Sequence, residues 1–125
     1  INALPLLQKN GVDANVFIVT SPDLLFRYIS GEPSPSETNQ EPLPLDGLLE
    51  LSQADWDNPT ITVIDGHPQA MAFLGSKTKG DIRNLGVEQF GQSGTPPDLY
   101  RNFGIDAQSI CDAGSEMFVI GTRAK

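Results

Sequence analysis

One histidine, one cysteine and one serine within a glycine-rich turn carry most of the reactive potential of this sequence: His67, Cys111 and Ser93. Asp65 stands two residues before His67, so Asp65, His67 and Ser93 can be drawn as a nucleophilic triad, because triads assemble in space and not in sequence. A small hydrolase using Ser93 and His67 is one reading this leaves. The surrounding pattern does not complete it. Gly91-Gln92-Ser93-Gly94-Thr95 approaches the G-x-S-x-G nucleophile elbow, but the second glycine comes one place early and Thr95 fills its slot. Backbone turning is the expected role of that loop. His67 followed by Pro68 reads as a turn residue, since one imidazole with one carboxylate falls short of the donor set of a metal site. Cys111 lies on the apolar stripe of a helical segment and is expected to be a small buried hydrophobe.

Phosphate-binding signatures are missing: neither G-x-x-x-x-G-K-[ST] nor G-x-G-x-x-G occurs. Residues 91–94 do lead into a helix start, where free amides attract carboxylates or phosphates. Pro96 and Pro97 remove two of those donors, and Asp98 competes for the rest. His67, Gln92, Ser93 and Arg101 are therefore kept as candidate anion or interface residues. No residue is assigned to catalysis, to a cofactor or to a metal.

The chain has 125 residues, the size of a single domain spanning 1–125. Lys plus Arg is 8 and Asp plus Glu is 16, a formal net charge of -8. Such a surface disfavours nucleic acid and anionic membranes, which need clustered cations to release counterions. Up to residue 60 only Lys9 and Arg27 oppose nine acids, which reads as a solvated acidic face. A lone cysteine builds no intramolecular disulfide, so a reducing, cytoplasmic setting is expected. No apolar run approaches the about 18 residues that a membrane span needs, and Ile1 opens without the basic region of a signal peptide.

The elements that would position these residues follow from periodicity and capping. Ala3, Leu4, Leu6, Leu7 and Val12 share a helical face that closes at Asn10-Gly11. Val16-Phe17-Ile18-Val19-Thr20 reads as a strand buried on both faces. Ser21-Pro22-Asp23 then caps a helix over 23–29. Residues 31–44, with Pro33, Pro35, Pro42 and Pro44, read as a mobile surface loop. A helix is expected over 45–54, a strand over 60–64, a helix from near His67 to Leu74 that stops at Gly75, and a weaker strand over 82–87. Thr95-Pro96-Pro97-Asp98 reads as a capping box opening a helix that ends at Gly104, and Asp106 caps a last helix through Ile110, Met117 and Phe118. Alternating helices and doubly apolar strands specify an α/β fold, a three-layer domain with a mostly parallel sheet flanked by helices. Because a βαβ unit is expected to open with a strand and this chain opens in a helix, an upstream strand, or an entire upstream region, is expected to be missing from it.

The stretch from Val63 to Gly75, "VIDGHPQAMAFLG", followed by "LGVEQFGQSG" from Leu85 and "DLYRNFGID" from Asp98, resembles the C-terminal domain of transketolase-type thiamine diphosphate enzymes. The earlier "VTSPDLLFR" falls in the same order, so the resemblance covers nearly the whole chain. It is similar both to transketolases and to the homodimeric E1 components of 2-oxoacid dehydrogenases. The resemblance implies a non-catalytic third domain that packs on two upstream domains, contributes to a homodimer and, in E1 relatives, lies near the acyltransferase E2 core. Thiamine diphosphate and its divalent metal would sit in the upstream domains, which carry a Gly-Asp-Gly motif and an activating glutamate. No Gly-Asp-Gly occurs here. The other reading left open is an independent interaction or anion-sensing module.

Overall fold

The computed structural model describes residues 1–31, 52–89 and 91–123. Helix α1 (Leu4–Lys9) ends where its sequence requires. Gly11 adopts φ +76°, its N–H donates to the Gln8 carbonyl at 3.0 Å, and the Val12 N–H reaches the Leu7 carbonyl at 3.0 Å. These two crossed bonds form the Schellman closure, which satisfies carbonyls that the helix leaves unpaired. Helix α2 (Pro22–Ser30) begins with the Ser21 hydroxyl accepting the Leu24 N–H at 3.4 Å and ends at left-handed Gly31. Asp23 lies in its first turn and pairs with Arg27 at 3.1 Å.

Beyond Gly31, the proline-rich segment lies outside the described residues, as does residue range 45–51 of the helix expected next. The described helix there is α3 (Gln53–Asp57). Ser52 and Asp55 cap it reciprocally: the Asp55 N–H donates to the Ser52 hydroxyl at 3.3 Å, and the Ser52 N–H donates to the Asp55 carboxylate at 2.8 Å.

Strands β1 (Thr60–Val63) and β2 (Ile82–Leu85) pair in parallel, Thr60 opposite Ile82 and Val63 opposite Leu85. A parallel pair cannot be joined by a hairpin, so residues 64–81 form a crossover. Its body, where a helix from near His67 to Leu74 is expected, is a 3-10 helix (Pro68–Ser76). The burial pattern gives the reason. Pro68, Met71 and Leu74 are the buried residues, spaced by three, and a 3-10 turn of three residues aligns them on one line facing the sheet.

The strand expected over 16–20 is not formed. Val16, Phe17 and Ile18 have no ladder partner among the described residues, and 47, 46 and 76% of their surface is exposed. An apolar, β-branched run favours burial but does not supply the neighbouring N–H and C=O groups a strand requires. The described sheet thus has two strands instead of three, and β2 stops at Leu85, short of Val87.

Each face of the strand pair has its own cover. Ile82 packs with Leu25, Met71 and Leu74, a core that also takes in Val19, Ile29, Trp56, Ile64 and Phe73. On the opposite alternation, Ile61 approaches Gly114 of α5 (Ala107–Arg123), and Arg83 pairs with Glu116 of that helix at 2.8 Å. Helix α1 packs on α5 as well, burying Ala3, Leu7, Cys111, Ala113 and Met117. The chain is of the α/β class.

Helix α4 (Pro96–Asn102) departs from its expected capping box. Thr95 accepts no backbone N–H and donates its hydroxyl to the Asp98 carboxylate instead, at 2.5 Å. Pro97 occupies the second helical position, so one of the two amides that an N-cap oxygen serves does not exist. At the far end Gly104, at φ +68°, closes α4 as expected. Asp106 caps α5 by accepting the Ser109 N–H at 3.2 Å.

A close backbone crossing lies at the carboxyl end of the strand pair. A methyl group on Gly86 would sit 2.4 Å from the Gly66 carbonyl oxygen and 2.9 Å from the Pro68 nitrogen, whereas on Gly75 its nearest neighbour would be 3.7 Å away. Gly86→Ala should therefore destabilise the chain by about 1–3 kcal/mol, while Gly75→Ala should stay within about 0.5 kcal/mol of the parent. Denaturant midpoints of the two variants check this.

Candidate functional site

The reactive residues are placed on separate turns. His67 is exposed at the start of the 3-10 helix, and its Nδ1 accepts the Gln69 N–H at 3.3 Å. That nitrogen is the one a triad carboxylate would engage, so the imidazole serves its own helix start. Asp65 and Ser93 are exposed, and neither is hydrogen-bonded to His67 among the described residues. The drawn triad is not assembled.

The glycine-rich loop turns as expected. Gly91 adopts φ +96°, and Gln92 folds along the following helix, where its Oε1 accepts the Asn102 Nδ2–H at 3.1 Å. Ser93 is exposed beyond it. At the start of α4 the Asp98 carboxylate, held by Thr95, occupies the space an anion would need. Arg101 lies on the last turn of α4 and lines a groove of about 490 Å³ with Ile1, Ala3, Tyr100, Asp106 and Ile110. Here the structure brings a cation and an anion together. The Asp106 carboxyl is held below the usual carboxylate range, first by the Ser109 hydroxyl, against some desolvation, and then by the Ser109 amide and the Arg101 charge. A guanidinium so matched has less net attraction left for an incoming anion. Gln92 thus reaches α4 through Asn102 and Arg101 lies on that helix, whereas among the described residues no hydrogen bond connects either to His67 or Ser93.

Cys111 is 1% exposed, and its sulfur accepts the Asn10 Nδ2–H at 3.4 Å. The thiol behaves as the buried hydrophobe its helical position suggests, and such burial removes it from nucleophilic chemistry. Among the described residues no three of His, Cys, Asp and Glu converge. Nor, among them, is any helix long and apolar enough to cross a membrane.

Among the described residues, two of the long-range polar connections that escaped the sequence fasten α5 to the rest of the chain. Asn10 donates to Ser115 at 3.1 Å as well as to Cys111, tying the end of α1 to α5, and Arg83 ties β2 to the same helix through Glu116. Their partners stand 33 to 105 positions apart, and no spacing rule encodes a pairing over that distance. Comparison of the chain with family models, curated proteins and solved structures gives no match.

The groove wall can be tested through Asp106. Asp106→Ala removes the α5 cap and should cost about 1 kcal/mol near neutral pH. The folded-state pKa is depressed, so this stabilisation is present above the unfolded carboxyl value of about 4 and is lost as pH falls through the lower folded value. Unfolding free energies of parent and variant should therefore converge in acid.

Proposed function

We propose that this chain is the C-terminal, non-catalytic domain of a thiamine diphosphate enzyme of the transketolase or 2-oxoacid dehydrogenase E1 type. Its work is to pack against upstream domains and to extend a homodimer, with the acyltransferase E2 core as a further partner in the E1 case. The cofactor and its divalent metal belong to the upstream domains, and the setting is cytoplasmic. In this reading the domain is a three-layer one with a mostly parallel sheet, supported by the parallel β1 and β2 pair with the 3-10 helix and α2 on one alternation and α5 on the other.

The observation that carries the proposal is apolar surface without cover. Val16, Phe17 and Ile18 stand exposed in succession, and Val63 at the end of β1 is 45% exposed. A run of this kind costs free energy in water at roughly 25 cal/mol per Å² of apolar surface, and contiguous exposed apolar patches mark sites of association. A domain covered by its neighbours in the parent enzyme removes that cost. Two motifs of the resemblance, "DGHPQAMAFLG" and "GVEQFGQSG", begin just after β1 and β2 in the chain, and near their starts the Gly66 carbonyl accepts the Val87 N–H at 2.7 Å. Glycine there permits the close crossing on which the unit is built, which gives these motifs an architectural role.

Under this reading the chain by itself should self-associate and bind an apolar fluorescent dye, and a polypeptide carrying the upstream domains should suppress both. Sedimentation and dye titration measure this. A dye-silent monomer at high concentration would contradict the proposal.

A further inference from the structure

Asn10-Gly11 is the one Asn-Gly pair in the sequence, and its side-chain amide has a structural task. The Asn10 Nδ2 donates to Ser115 at 3.1 Å and to Cys111 at 3.4 Å, while the Gly11 N–H closes α1 on the Gln8 carbonyl. We propose that Asn10 is a conformationally gated deamidation site, a modification site whose conversion unfastens α1 from α5.

The chemistry needs only solvent. The Gly11 backbone nitrogen, having lost its proton to solvent base, attacks Asn10 Cγ. A carbon–nitrogen bond forms, the Cγ–Nδ2 bond breaks, and ammonia departs, leaving a five-membered succinimide. Water then opens the ring at either carbonyl to give aspartate or isoaspartate, so the balance is amide plus water to acid plus ammonia, with no redox change. Glycine at the following position leaves the attacking nitrogen unhindered.

The fold holds both reaction partners away from this path. Ring closure needs the Gly11 nitrogen nearly eclipsed with Asn10 Cβ, whereas Asn10, at φ -88° and ψ 8°, brings that nitrogen close to eclipsing its own backbone nitrogen instead. The nucleophilic N–H is engaged with Gln8, and the leaving nitrogen is engaged with Ser115 and Cys111. Reaction therefore proceeds from a locally opened state in which the end of α1 has come free, and its rate reads the population of that state. Once formed, isoaspartate carries an additional carbon in the main chain between residues 10 and 11. Gly11 and Val12 then no longer reach Gln8 and Leu7 together, and the donor amide to Ser115 has gone. The modification is irreversible in solvent and locks α1 open. This inference stands independently of the proposed function.

The test follows ammonia release and locates the product by peptide mapping, with the folded chain and the chain in denaturant incubated at the same mildly alkaline pH. Asp46-Gly47 and Asp65-Gly66 pass through the same ring without releasing ammonia, so the readout is specific to amides. Asn10 should react at least about tenfold faster in the denatured chain than in the folded one. Ser115→Ala should speed the folded reaction and leave the denatured rate unchanged. Material converted in the folded state should lose hydrogen-exchange protection at Gly11 and Val12. Equal folded and denatured rates, or a converted chain that keeps this protection, would overturn the proposal; the folded-to-denatured comparison decides the matter even if Ser115→Ala does not fold.

Discussion

Parallel pairing of Thr60–Val63 with Ile82–Leu85 sets the terms for the rest of the molecule. Two strands running the same way cannot close locally, so the chain must travel a full crossover before the first ladder bond is rewarded. An isolated strand pair is also marginal in water. Its stability comes from what lies on its faces: the 3-10 helix and α2 against the Ile82 side, and α5 against the Ile61 side. The close backbone crossing of Gly66 and Gly86 holds the ends of the two strands together, and it leaves no space for a side chain at Gly86. Helix α1 is one step further removed, fastened to α5 by Leu7 and by the Asn10 amide.

Where a signal is local, the sequence states it. Ser21-Pro22-Asp23 opens α2 because its acceptor, its locked φ and its charge all act within one turn, and Asn10-Gly11 and Gly104 close their helices because a left-handed residue is needed there. Asp106 caps α5 for the same kind of reason. At Thr95 the capping pattern is present in sequence but not in bonding, since the proline at the second position withdraws a donor. For Pro68, Met71 and Leu74 the spacing of three was visible, but it fits one face of an α-helix as well as a 3-10 line, and contact with the sheet selects between them.

What the sequence withholds is long-range. Residues 16–18 have every property of a buried strand except, among the described residues, a partner, and partnership depends on what stands beside them in space. The same holds for the candidate site. Residue type and neighbourhood point to His67, Gln92, Ser93 and Arg101, but Ser93 is simply exposed, and the other three interact with Gln69, with Asn102 and, by charge, with Asp106. Each serves a turn or a helix end. This pattern agrees with a domain whose contribution is architectural, as proposed, with the apolar run at 16–18 as the surface it presents to its neighbours.

Hydrogen exchange at residues 16–18 tests that claim most directly, because the ladder bonds these amides lack in the chain alone would be supplied by the upstream domains. The account predicts amides of Phe17 and Ile18 that exchange freely in the isolated chain, beside slowly exchanging β1 amides, and that become protected in a polypeptide containing the upstream domains. Strong protection of Phe17 and Ile18 in the chain by itself would mean that the run is already covered, and would contradict the account.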